Sequence, residues 1–145
     1  MSENGMPSLD TNCLLRWLLD DAPEQTIIIT DVINSEEILA IADAALIETV
    51  FVLENIKKIS RETIRKAILT VFGKSNIKCN RDLFIEILTF YINRPKLSFV
   101  DCYLDVNARK TGDVPLLTFD KKMANQLPNA KLLTSDNTHA GRFSY

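Results

Sequence analysis

Residues 98–126 read SFVDCYLDVNARKTGDVPLLTFDKKMANQ, and the order of elements in this stretch indicates the fold class. Residues 98–112 predict a helix that begins near a serine and ends at a glycine. A strand at residues 116–119 follows Pro115, and a short helix follows Asp120. A helix, a strand and a second helix in direct succession are typical of α/β proteins.

The same alternation continues towards both ends of the chain. The helix expected to follow Pro23 contains the run TIIIT (residues 26–30), whose β-branched side chains favour strands. Asp43 is expected to cap the helix that it begins. Together the patterns predict strands at residues 7–9, 38–42, 116–119 and 131–133, and helices at residues 12–20, 24–34, 43–55, 60–73, 81–93 and 98–112.

The composition is that of one globular domain. The chain has 145 residues, of which 46% are hydrophobic and 25% are charged, which is enough apolar material for a core. Its formal net charge of -2 differs from that of strongly basic domains, which bind nucleic acids through bulk electrostatics. Any nucleic-acid ligand would therefore have to be attracted by metal ions and a local basic rim. Residues 1–5 predict a flexible N-terminal extension, residues 6–134 the folded domain, and residues 135–145 a flexible C-terminal tail.

The cysteines and the apolar segments do not support a disulfide-rich, zinc-binding, membrane-spanning or secreted protein. Cys13, Cys79 and Cys102 have no CxxC or Cys/His spacing, so they indicate reduced core residues and neither a disulfide framework nor a zinc site. The longest mainly apolar stretch, residues 44–53, is too short to span a bilayer. The N-terminus lacks the basic and apolar regions of a secretory signal, so the expected location is cytoplasmic.

Two aspartates each stand between a predicted strand and a predicted helix. Asp10 follows the first strand, and Asp120 follows the strand at residues 116–119. Because the carboxyl ends of parallel strands meet at one edge of a sheet, topology is expected to bring these two side chains together. Alternatively, each aspartate serves only as the N-cap of the following helix.

Two further acids lie within predicted helices. Asp101 stands three residues after Ser98, so the pair could also form a capping box. Glu48 has mainly apolar neighbours on its helix surface and no Lys or Arg within one turn, so its burial would require a metal ion or a cation from elsewhere in the fold. The alternative is that this stripe is partly exposed and that water solvates Glu48. Asp105 is expected at the surface, with a place at the rim of the site as the second possibility.

Four short motifs in this order resemble the PIN-domain family. They are LDTN at residues 9–12, Glu48 in its apolar helix, SFVDC at residues 98–102 and LLTFDKK at residues 116–122. In detail the chain looks like the VapC-like toxins of bacterial toxin–antitoxin pairs, and the opening DTNCLLRWLLDDAPEQ (residues 10–25) is particularly similar to that group. Cys102 departs from the small residue, such as alanine, that is usual at its position.

The resemblance implies a fold, a site and a function. The implied fold is an α/β three-layer sandwich with a short, mostly parallel central sheet flanked by helices. The implied function is that of a metal-dependent endoribonuclease, which would form a homodimer and bind a small antitoxin. The implied site comprises Asp10, Glu48, Asp101 and Asp120 as ligands of one or two Mg²⁺ or Mn²⁺ ions, with Asn12 and Thr118 orienting these acids.

A cluster of carboxylates has a plain chemical use. Two carboxylates ~4 Å apart repel each other by roughly 4 kcal/mol at an effective dielectric constant of about 20, and a divalent cation relieves this repulsion. Oxygen ligands suit Mg²⁺ or Mn²⁺, which can activate water for attack on a phosphodiester. The basic residues expected at the rim are Lys121, Lys122, Arg109 and Lys110, although each could equally be an ordinary solvated charge.

Other functions have fewer residues to support them. The single histidine, His139, falls in the predicted tail, so a metal-free ribonuclease with a histidine pair is excluded. A receiver-like phosphotransfer domain would need a phosphate-accepting aspartate after a middle strand, where residues 38–42 lead only to Asp43. A non-catalytic module that uses the fold to bind a protein or RNA remains the principal alternative.

Overall fold

The computed structural model describes residues 5–135, which divide into two compact units. The first unit ends at Leu88 and the second begins at Thr89. The predicted extension and tail lie outside the described residues except for Gly5 and Ser135, and so does His139.

The described residues of the first unit form five α-helices, one π-helical turn and two short strands. The helices are α1 (Thr11–Leu19), α2 (Pro23–Ile33), α3 (Asp43–Phe51), α4 (Arg61–Phe72) and α5 (Arg81–Asn93), of which α5 continues into the second unit. A π-helical turn, Val52–Ile56, directly follows α3. The strands are β1 (Leu39–Ala40) and β2 (Ile77–Lys78).

The two strands of the first unit pair in parallel. Leu39 lies opposite Ile77 in the register, and both side chains are buried. A single parallel bridge joins Ser8 to Ala40, and Leu9 N donates to Ala40 O over 2.8 Å. In place of the strand expected at residues 7–9, the structure has only this bridge. The bridge lies just before buried Leu9, which is followed by Asp10 and α1.

Local signals explain where these helices begin. The hydroxyl of Ser60 accepts a hydrogen bond from Thr63 N and caps α4. Pro23 occupies the start of α2, where its fixed φ and missing N–H are tolerated. The β-branched run in α2 is helical because Ile29 and Ile33 are buried on one side of the helix. The prediction that Asp43 caps α3 is wrong: Ala42 holds the cap position, and Asp43 Oδ1 accepts a hydrogen bond from Asn80 Nδ2 over 2.8 Å.

After the end of α5, helices and strands alternate in the described residues of the second unit. It contains α6 (Phe99–Thr111), β3 (Leu116–Thr118), α7 (Lys121–Gln126) and β4 (Ala130–Leu132). Strands β3 and β4 pair in parallel, with α7 as the connection between them. The rings of Tyr91 and Phe99 are buried and meet edge to face, with their centroids 5.1 Å apart.

The expected α/β class and the parallel pairing of the strands are confirmed, with the pairing divided between two two-stranded sheets. Strand β2 was not predicted from the sequence, because its two residues lie between two strong helix patterns. All three cysteines are free, as expected, although Cys102 alone is fully buried. No helix in the described part of the chain is long and apolar enough to cross a membrane.

Candidate active site

Asp10 is the N-cap of α1. Its Oδ1 accepts a hydrogen bond from Cys13 N over 2.9 Å, and its side chain is exposed. This backbone hydrogen bond from Cys13 is the largest cause that holds the pKa of Asp10 below its ordinary value, and the backbone N–H of Asn12 acts in the same direction. Asn12 therefore acts on Asp10 through its backbone. The Asp10 carboxylate is ionised over the whole physiological pH range.

Glu48 lies on α3 and is exposed to solvent. Its helix neighbours Ala44 and Phe51 are exposed as well. Glu48 is therefore solvated, as the alternative prediction had it, and its charge needs no cation to offset burial.

Asp10 and Glu48 line the same cavity, although they belong to different elements. The cavity has a volume of about 380 Å³ and lies entirely within the first unit. Both acids face it from short segments that also contribute hydroxyl and alanine side chains. The residues that line it are Ser8, Leu9, Asp10, Thr11, Ala42, Ala44, Ala45 and Glu48.

Asp101 forms the capping box that its spacing from Ser98 suggested. Ser98 Oγ accepts a hydrogen bond from Asp101 N, and Asp101 Oδ2 accepts one from Ser98 N, both over 3.1 Å. The second carboxylate oxygen, Oδ1, has no hydrogen-bond partner within residues 5–135. Capping therefore uses only half of the ligand capacity of Asp101.

Asp120 is the N-cap of α7. Its Oδ1 accepts hydrogen bonds from Lys122 N over 2.8 Å and from Met123 N over 3.3 Å. Thr118 Oγ1 accepts a hydrogen bond from Asp120 N over 2.9 Å and so fixes the backbone at the end of β3. Thr118 thus orients Asp120 through the main chain.

Asp105 is fully buried, so its expected place at the surface is wrong. Its Oδ1 accepts a hydrogen bond from Asn129 N over 3.2 Å, and its Oδ2 accepts one from Asn129 Nδ2 over 3.1 Å. Both oxygens are therefore committed to the turn before β4. Sequence reasoning missed this contact because the only local signal, an acid facing the apolar side of a helix, does not identify a partner so far along the chain.

The four basic residues proposed for the rim fall into two pairs. Lys121 and Lys122 are exposed in the first turn of α7, next to Asp120. Arg109 and Lys110 are exposed in the last turn of α6, about two turns beyond Asp101. Only the first pair lies beside one of the candidate acids in its own unit.

The four candidate acids are divided between the two units, with Asp10 and Glu48 in the first and Asp101 and Asp120 in the second. Within residues 5–135, no three His, Cys, Asp or Glu side chains are grouped so that they could hold a metal ion.

Comparison with known proteins adds one finding. A search of curated proteins gives no match. The family model described as PIN domain matches residues 8–126, and that span begins just before Asp10 and ends after Asp120. PIN domains are generally nucleases that bind RNA and typically use divalent metal ions. Because the matched residues make up most of the chain, this protein belongs to the PIN-domain family.

Proposed function

We propose that this chain is a Mg²⁺- or Mn²⁺-dependent endoribonuclease in which Asp10, Glu48, Asp101 and Asp120 bind the metal. The observation that carries the proposal is the shared cavity of Asp10 and Glu48 in a chain that matches the PIN domain from residue 8 to residue 126. Two carboxylates from different segments of the chain line the same cavity. In the PIN-domain family, divalent metal ions are typically used by the nuclease, and these carboxylates could bind such an ion.

The donor groups of this cavity fit a hard cation. It is lined by the carboxylates of Asp10 and Glu48 and by the hydroxyl residues Ser8 and Thr11, with no imidazole or thiolate among its lining residues. Oxygen donors of this kind suit Mg²⁺ or Mn²⁺ better than Zn²⁺ or Cu²⁺. When bound, such an ion supplies Lewis acidity, which lowers the pKa of water and stabilises negative charge on the leaving oxygen.

Three of the four acids lie at the beginning of a helix, which favours their ionised, metal-binding form. Asp10, Asp101 and Asp120 each accept backbone N–H groups in the first turn of a helix, where the positive end of the helix dipole favours the ionised carboxylate. The hydrogen bonds of Asp101 and Asp120 reach one oxygen each and leave the other for a ligand. Glu48 keeps a solvated side chain that can turn towards an ion. The expected products of water attack are a 5′-phosphate and a 3′-hydroxyl.

The proposed protein partners of the chain follow from the same family resemblance. We propose that the protein is the cytoplasmic toxin of a toxin–antitoxin pair, that it forms a homodimer, and that a small antitoxin covers the acidic site. Apolar side chains without cover support an interface on the first unit: Phe51 is 54% exposed and Ile56 is 60% exposed.

The decisive experiment is a ribonuclease assay on single-stranded RNA with Mg²⁺, with Mn²⁺ and with EDTA. The parent should cleave only with a metal, and Asp10→Asn, Glu48→Gln, Asp101→Asn and Asp120→Asn should each reduce the rate by a factor of about 100 or more. The matched control is Asp31→Asn, which removes an exposed carboxylate from α2 and should leave the rate unchanged. RNA binding without cleavage by a metal-loaded parent would refute the nuclease proposal and favour the non-catalytic module.

A further inference from the structure

Phe119 is exposed beside a candidate site residue. Its side chain is 77% exposed, a larger fraction than for any other large hydrophobic residue in the described part of the chain. It stands directly between Thr118, the last residue of β3, and Asp120, the cap of α7. A phenylalanine in this position contributes little to the core, so folding does not explain the aromatic ring.

The neighbours of Phe119 along the chain and across the strand pair include one apolar and three basic side chains. Leu117 precedes it by two residues along the strand, which is the spacing of side chains on one face of a strand, and is 56% exposed. Lys131 lies opposite Leu117 in the parallel register and is also exposed. Lys121 and Lys122 follow in the first turn of α7. We call these five residues the Phe119 face.

In the described part of the chain, the lysines of the Phe119 face take part in no salt bridge. Within residues 5–135, no carboxylate lies within 4.0 Å of the ammonium groups of Lys121, Lys122 or Lys131. The chain as a whole carries a formal net charge of -2, so three lysines in the Phe119 face are a local departure from its charge balance. Their charge complements that of a polyanion.

An exposed aromatic ring with three exposed lysines at neighbouring chain and register positions has the features of a binding site for single-stranded nucleic acid. Bases stack on aromatic side chains, and lysines neutralise the phosphates that link the bases. A duplex keeps its bases stacked on each other and offers only its grooves and backbone. The Phe119 face therefore fits a single strand with at least one unstacked base.

We propose that Phe119 stacks against a base of single-stranded RNA while Lys121, Lys122 and Lys131 neutralise the adjacent phosphates. The inference rests on the proposed nuclease function, which it deepens by assigning the substrate strand a contact next to Asp120. Phe119 is a binding residue, and Asp120 stays the candidate metal ligand.

The test measures RNA affinity without metal, so that binding is separated from cleavage. The probe is a fluorescein-labelled 12-nucleotide oligo(A) strand in EDTA, observed by fluorescence anisotropy, with a 12-base-pair RNA duplex for comparison. Phe119→Ala and Phe119→Leu should weaken binding of the single strand about tenfold, whereas Phe119→Tyr should stay within about twofold of the parent, because only tyrosine keeps an aromatic face. The matched control is Ile27→Ala, which removes an exposed apolar side chain from α2.

Salt dependence separates stacking from charge. Phe119→Ala should leave the slope of log Kd against log salt unchanged, and replacement of each of the three lysines by alanine should reduce it by about 0.7. The melting temperature of every variant is measured beside its affinity. Since the side chains replaced are exposed, we expect all variants to remain folded.

Three outcomes would overturn the inference. They are Phe119→Ala binding as tightly as Ile27→Ala, Phe119→Leu binding as tightly as Phe119→Tyr, and a Phe119→Ala variant that changes from dimer to monomer with unaltered RNA affinity. The last outcome would assign the face to a protein contact. If the parent cleaves RNA but Phe119→Ala binds normally, only this inference fails; if binding depends on Phe119 but no metal supports cleavage, only the nuclease proposal fails.

Discussion

The carboxylate of Asp105 holds both the backbone N–H and the side-chain amide of Asn129, with hydrogen bonds of 3.2 and 3.1 Å. Asn129 O in turn accepts a hydrogen bond from Leu116 N over 2.8 Å at the start of β3. A buried residue of α6 is thereby connected to the strand that leads to Asp120. Asp101 and Asp105 stand one turn apart on α6, so the same helix carries one candidate ligand and the anchor for the strand of another.

We expect Asp105→Ala to lower the free energy of unfolding by about 1–3 kcal/mol, because it leaves two donors of Asn129 without their partner in a buried place. Urea unfolding followed by circular dichroism measures the change. The matched control is Asp113→Ala, which removes an exposed aspartate of the same unit and should cost much less. Equal midpoints for the two variants would contradict a structural role for Asp105.

The acid dependence of α1 follows from the pKa of Asp10. The folded protein holds this pKa below the ordinary value of 3.8, so the ionised cap stabilises the fold fully above that value and less as the pH falls through the lower folded pKa. Asparagine caps a helix about as well as aspartate and does not titrate. We therefore expect the melting temperatures of parent and Asp10→Asn to differ by a constant amount from pH 7 to about pH 4.5, with the parent losing stability relative to the variant at lower pH. A difference that stays constant down to pH 2 would contradict the assignment.

The sequence predicts helices well where their signals are local. Ser60 and Gly73 enclose α4, Ser98 and Gly112 enclose α6, and each pair lies at the predicted boundary. A cap depends on residues within one turn, so its chemistry can be read without knowledge of the rest of the fold.

Burial depends on distant parts of the chain and is harder to predict. Asp105 can be buried because Asn129, 24 residues further along the chain in the turn before β4, supplies donors to its carboxylate. Glu48 is exposed in the described part of the chain, although its neighbours on α3 include apolar side chains. The candidate acids themselves were recognisable from their motifs, whereas the cavity that joins Asp10 to Glu48 depends on how α1 and α3 pack.

If the protein is a homodimer, substitutions in its interface should halve the molecular mass measured in solution. If Phe51 and Ile56 lie in the interface, replacing both with lysine buries charge against the partner and should convert the dimer to a monomer. Light scattering at tens of micromolar protein measures the mass. Ile27→Lys, at a similarly exposed position on α2, serves as the control and should remain dimeric. A parent that is already monomeric at this concentration would refute the dimer.

The last prediction separates the two roles of the candidate aspartates, capping and metal binding, with two substitutions at each position. Alanine removes the cap as well as the charge, so Asp10→Ala and Asp120→Ala should each lower the free energy of unfolding by about 1 kcal/mol in EDTA. Asparagine keeps an oxygen for the backbone N–H groups and removes only the charge, so the corresponding asparagine variants should lose much less stability in EDTA than the alanine variants.

Addition of Mn²⁺ then distinguishes the roles, because an ion that binds the folded chain alone raises its melting temperature in proportion to the logarithm of its concentration. The parent and the control Asp31→Asn should show this rise, and Asp10→Asn, Glu48→Gln and Asp120→Asn should lose most of it. Glu48 provides the sharpest comparison, since it is exposed and caps no helix, so a purely structural explanation predicts no effect of Glu48→Gln on either measurement. A parent whose melting temperature responds to neither Mg²⁺ nor Mn²⁺ would refute the carboxylate site.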